Sequence, residues 1–148
     1  MSTRDDDRGA RGAVPGVVAV AGAFLAISVF LPWYTADVAP PFAAASSSGW
    51  DSTTMARIVF AIGVMLAMSA GLILLDMRGI LLLDAGVVGA LSWLCLGLAL
   101  AATALVAWRL VRPPAPAEFL ARDVGLFIAQ GAVVVALVAA LAAVRPRS

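Results

Sequence analysis

Four stretches of the chain carry no charge: residues 12–36, 58–75, 85–108 and 124–144, of 25, 18, 24 and 21 residues. Each is close to the ~20 apolar residues that cross a ~30 Å hydrocarbon core as a helix. None alternates apolar and polar positions in the ~10-residue segments of barrel strands, and a spanning segment must satisfy its backbone hydrogen bonds internally. The pattern predicts an all-α membrane protein, a four-transmembrane-helix bundle with helices at about 13–34, 57–75, 85–108 and 124–144 in a single domain over 13–144. Residues 1–12 are polar and mixed in charge, with no apolar face to bury, and read as a disordered cytoplasmic tail. Residues 145–148 form a short C-terminal tail.

Composition agrees with lipid as the main solvent. The 148 residues are 63% apolar and 13% charged, against ~25% charged in a soluble domain. The net charge of +1 supplies no surface for a polyanion, so nucleic acid is excluded as a partner. Arginine occurs ten times, lysine and histidine never. Without histidine the commonest general base and metal ligand is missing, and Cys95, the single cysteine, cannot form an intramolecular disulfide or a multi-cysteine metal site. No cofactor and no enzyme activity are expected.

Arg4, Arg8 and Arg11 precede the first apolar run, and Ala43 and Ala45 before Ser46 resemble a signal-peptidase site. The run is about twice the ~7–15 residues of a secretory core, and Pro32, Trp33 and Tyr34 read as an interfacial anchor, so an uncleaved first helix is expected. Four spans put both termini on one face. With them in the cytoplasm, that face holds Arg4, Arg8, Arg11, Arg78, Arg145 and Arg147, against Arg57, Arg109, Arg112 and Arg122 outside. The excess of arginine inside, led by the first helix, predicts a multi-pass protein of the inner (plasma) membrane with cytoplasmic termini.

Residues 35–54 form the longest loop, irregular on account of Pro40, Pro41 and a run of small residues. Residues 76–79 are a tight turn. The third helix starts either at Ile80, with Asp84 inside it, or after Asp84, so that residue is either within the membrane or interfacial. Pro113, Pro114 and Pro116 predict extended backbone in the third loop, with a short interfacial turn over 118–122. No repeat relates the two halves, so a repeat transporter is not indicated.

Close helix packing in lipid depends on small residues. Candidate rows are Gly63, Ala67 and Gly71 in the second helix, Ala85, Gly89, Gly97 and Ala101 in the third, and Ala132, Ala136 and Ala140 in the fourth. They serve either the bundle itself or contact with another copy or partner. Gln130 is expected to make an interhelical hydrogen bond. Ser28, Ser69, Ser92 and Thr103 can return their hydroxyls to their own helices. Cys95 and Trp93 read as packing residues, Trp93 with lipid as its other possible neighbour.

The segments with most potential for recognition are Phe30-Leu31-Pro32-Trp33-Tyr34 and Gly49-Trp50-Asp51, which frame the first loop. Trp33, Tyr34, Trp50 and Asp51 are the candidate interface anchors or recognition residues. LPWY after the first helix, SGWD at the end of a small-residue loop, and three further helices resemble small four-helix integral membrane proteins of GC-rich bacteria. A looser likeness is to bacterial membrane proteins encoded beside tryptophan biosynthesis, which place LPW after the first helix and a Trp in the following loop. Neither resemblance implies an activity or functional residues. The expected function is therefore that of a non-enzymatic structural or accessory component of the cell membrane, in contact with the lipid bilayer and with another membrane protein or itself. The alternative is a small self-associating transporter or channel.

Overall fold

The computed structural model describes residues 3–36, 45–115 and 120–145, with side chains from residue 12 onward. Helix α1 (Thr3–Ser28) is followed by strand β1 (Pro32–Ala36), strand β2 (Ser46–Ser48) and a one-turn helix α2 (Gly49–Ser52). Then come α3 (Thr54–Met77), α4 (Ala85–Val111), strand β3 (Leu120–Arg122) and α5 (Val124–Val144). Helices α3, α4 and α5 are each long and apolar enough to cross a membrane, and α1 adds a shorter apolar stretch, Gly12–Ser28. Both α1 and α4 pack against α3 and α5. The signal-peptidase-like alanine Ala43, with Pro40, Pro41, Pro116 and Glu118, lies outside the described residues.

Two boundaries of α1 differ from the sequence expectation. The helix begins at Thr3, within the tail expected to be disordered; three aspartates at 5–7 fall at its N-terminal end, where negative charge favours a helix. It ends at Ser28 rather than near 34, because Pro32 has no N–H to continue the ladder and disfavours helical backbone at Leu31. The chain leaves the helix through tight turns, with Phe30 N donating to Ile27 O and Leu31 N to Ser28 O.

The turn between α3 and α4 is built on Gly79, whose φ of +71° is left-handed. Its N–H donates to Asp76 O at 2.9 Å and that of Ile80 to Leu75 O at 3.0 Å, the paired bonds that close a helix C-terminus around a glycine. Asp76 Oδ1 accepts from Leu83 N at 2.8 Å. Helix α4 starts after Asp84, which is exposed at its N-cap, so Asp84 lies outside the helix. Leu82, 95% exposed, projects from this turn. Gly79→Ala is expected to cost about 1 kcal/mol, since a Cβ is disfavoured at that φ, and thermal unfolding in mild detergent would read the loss.

The core runs from Leu25 and Val29 through Val59, Leu66, Ala99, Val106, Leu126 and Val133, all fully or almost fully buried. At its narrowest point α1 meets α3 backbone to backbone. A Cβ on Gly22 would lie 2.8 Å from Gly63 O, and one on Gly63 2.8 Å from both Gly22 O and Ala26 N. Ala67 stands in the same contact, its N–H 2.7 Å from that position on Gly22. Gly71 has no neighbour within 4 Å of an added Cβ. On α5, Ala132, Ala136 and Ala140 are buried.

Helix α4 departs from the expected face. Ala85, Gly89, Gly97 and Ala101 are exposed, while Cys95, Leu96, Ala99, Ala102 and Val106 are buried. Alanine occurs on both sides of this helix, so small-residue spacing alone does not choose a face. Trp93 is on the exposed side.

Candidate functional site: a tryptophan-clamped cap over the helix ends

The chain segments that link the helices at one end of the molecule are joined by a small sheet, ordered β2-β1-β3. Both pairings are antiparallel: Tyr34 faces Ser47 on one side and Arg122 on the other. A stretch expected to be irregular and another expected to be a short interfacial turn are thus the two outer strands. The β1–β2 register shifts between Pro32 and Tyr34, which makes Trp33 the residue of a bulge. Bulges redirect side chains, and here two successive residues are buried, Trp33 at 0% and Tyr34 at 1% exposure.

Trp33 is held by glycines on two sides. A Cβ on Gly49 would come within 2.7 Å of the indole Cδ2 and Cε2, and one on Gly125 within 2.8 Å of its Cδ1. The indole Nε1 donates to Ser28 O at 2.8 Å, and Trp50 N donates to Val29 O at 2.9 Å. The first gives the Ser28 carbonyl a second donor beside the Leu31 amide, and the second gives the Val29 carbonyl, just past the helix end, a partner from the far side of the loop. Trp33 and Tyr34 are therefore buried centres of the cap rather than interfacial anchors, because the bulge turns them into the protein.

Tyr34 donates its hydroxyl to Arg109 O at 3.3 Å. Burial raises its pKa, against the opposing pull of the Arg109 and Arg122 charges, so the phenol stays protonated and available as a donor. Arg122 Nε donates to Leu110 O, tying β3 to the end of α4. Asp123 joins the remaining pieces: its N–H donates to Trp33 O at 2.9 Å, and its carboxylate accepts from the Thr35 hydroxyl and from Val124 N.

The bond from Thr35, then that from Val124, holds the Asp123 carboxyl below its ordinary pKa. A depressed folded-state pKa means that the ionised group stabilises the fold above the ordinary carboxyl range, and that this contribution is lost as pH falls through the depressed value. Asp123→Asn is therefore expected to lower the melting temperature at pH 7 and to flatten its decline below about pH 4, as read by thermal scans across an acid series. An unchanged acid limb would rule out this role.

The outward side of the cap carries aromatic rings. Phe30 stacks on Trp50 at 5.5 Å between centroids, and Phe60 meets both edge-on at 5.5 Å, separations at which aromatic pairs attract. Phe30 is 56% exposed. The Arg57 guanidinium lies 5.4 Å from the Trp50 ring centroid, within cation–π range. Ser48 caps α2 through Asp51 N, and its hydroxyl donates to the Asp51 carboxylate at 2.8 Å, so Asp51 is exposed but locally held. Of the four anchors expected from sequence, Trp50 and Asp51 belong to this outer patch and Trp33 and Tyr34 to the interior. Phe30, Phe60 and Arg57 are additional members; the Phe-Leu-Pro-Trp run flagged the first, while Arg57 and Phe60 read as ordinary helix residues.

Gln130 Oε1 is buried and accepts no hydrogen bond among the described residues, contrary to the expected interhelical bond. The hydroxyls of Ser28, Ser92 and Thr103 donate instead to their own helices, at Leu25 O, Val88 O and Ala99 O.

Apolar helices under a stitched polar cap have the build of a helical membrane protein. Comparison with known proteins finds no matching family model, no similar curated protein and no similar solved structure.

Proposed function

We propose that the chain is a multi-pass protein of the bacterial plasma membrane, in which α1 joins the three long apolar helices as a four-span bundle and both termini face the cytoplasm. Its role is non-enzymatic: a structural or accessory subunit that holds another membrane protein through the outer face of the cap. The observation that carries this reading is the Phe30, Trp50 and Phe60 cluster with Arg57 over it. Phe30 is exposed, Trp50 and Phe60 are half-buried behind it and Arg57 is exposed beside them; tryptophan and arginine are among the residue types that dominate binding energy at protein interfaces. Here backbone bonds from Gly49 N to Leu31 O and from Trp50 N to Val29 O tie the Phe30 and Trp50 segments together, and a surface ordered in advance loses less conformational entropy on binding.

The test is purification of a tagged copy in mild detergent, with native mass and co-purifying chains determined together. Wild type is expected to retain a stoichiometric foreign subunit, and Arg57→Glu, at an exposed position, to lose it while keeping its melting temperature within a few degrees. A pure homo-oligomer that moves solute across liposomes would overturn the accessory role in favour of a transporter.

A further inference from the structure

Away from the cap, α1 and α5 leave an open groove of about 770 Å³ between them. Its wall is formed by Gly16, Val20 and Phe24 of α1 and by Gly131 and Val135 of α5, and Arg78, at the far end from the cap, is the one charged residue in it among the described residues. The groove exists because two wall positions lack side chains: a Cβ added at Gly16 or Gly131 would meet nothing within 4 Å. Val20, Phe24 and Val135 remain exposed along it. From the level of Ala13 to that of Phe24 the groove follows α1 for about 16 Å, close to half of a ~30 Å hydrocarbon core.

An apolar channel one leaflet deep with a guanidinium at its interfacial end matches a ligand of the same polarity, a hydrocarbon chain ending in an anion. We propose that this groove is a binding site for an anionic glycerophospholipid. One acyl chain lies along Gly16, Val20, Gly131 and Val135, and the headgroup phosphate is held by Arg78. Arg78 follows the last residue of α3 as its C-cap. The neighbouring carboxylate, Asp76, has one oxygen turned to the Leu83 amide. The site rests on the membrane reading above and adds a ligand class to it. It is separate from the aromatic cap, which lies at the other end of the helices.

The experiment uses the full chain, extracted in mild detergent, delipidated and titrated with phosphatidylglycerol or phosphatidylcholine of identical acyl chains, with bound lipid counted by native mass spectrometry. Wild type is expected to hold one phosphatidylglycerol with about a fivefold preference over phosphatidylcholine, the effect of one arginine near an anionic headgroup. Arg78→Gln should remove the preference, and Arg145→Gln should leave it. Gly131→Leu, whose Cβ would meet nothing within 4 Å, should reduce binding of both lipids, and Gly97→Leu, on the exposed face of α4, should not. Equal binding of the two lipids by wild type, or full binding by Gly131→Leu, would overturn the lipid site alone. A chain released from membranes by alkaline carbonate would overturn the membrane placement, and the lipid site with it.

Discussion

Trp33→Ala is expected to lower the unfolding free energy by about 3–5 kcal/mol, the range for a large aromatic removed from a packed site. The indole is fully buried and fills the space between Gly49 and Gly125, so its removal leaves a cavity whose walls are backbone from two separate segments. Such walls cannot close without shifting α2 or the start of α5. The Ser28 carbonyl also loses the indole donor, though it keeps the Leu31 amide. Trp33→Phe separates these contributions: it keeps much of the packing and gives up the hydrogen bond, for a loss of about 1 kcal/mol together with a smaller packing deficit. Thermal scans of both variants in the same mild detergent read the difference. A Trp33→Ala protein that melts with wild type would show that the indole does not hold the cap together.

The second large effect is expected at the crossing of α1 and α3. Gly63→Leu must place a whole side chain where even a Cβ would lie 2.8 Å from two backbone atoms of α1. Backbone of a helix in its middle turns cannot move aside as a side-chain tip does, so the two helices must separate. Overpacking of this kind costs about 1–3 kcal/mol and occasionally more, and the upper end is expected because no flexible group can yield. The matched control is Gly71→Leu on the same helix, where an added Cβ meets nothing within 4 Å. Its expected effect is small or slightly stabilising, through relief of glycine's entropy cost in a helix. Equal losses in the two variants would show that the α1–α3 contact is looser than backbone contact requires.

Charge-free runs located the long helices well, and for α5 the run over 124–144 coincides with the helix, because Asp123 and Arg145 mark its ends in chemistry as well as in pattern. The end of α1 is not legible from charge alone, because the uncharged run continues through Trp33 and Tyr34 to Ala36; the information lies in Pro32, whose effect on the ladder ends the helix. The sheet was not legible. Ser46–Ser48 has poor strand propensity, Leu120–Arg122 is too short to show a period, and Thr35 finds Ala121 only through a pairing that local pattern does not encode. Gly49 and Gly125 gave no signal either, since a glycine beside a helix start also suits ordinary turns. On α4 the spacing of Gly89 and Gly97 marked a face that the protein leaves outside, whereas Gly63 was marked for the same reason and lies at the crossing.

Strand β1 has a consequence for the order of assembly. It is synthesised early, but its β3 partner and one jaw of the tryptophan clamp, Gly125, arrive only with the last helix. Until then one edge of β1 has no partner and Trp33 has one open side. Contacts this far apart in the chain form late. Completion of the cap therefore reports that the final segment has arrived and docked. A ribosome product cut short before residue 120 would present an unpaired strand and an uncovered indole, the kind of surface by which unfinished chains are recognised and removed.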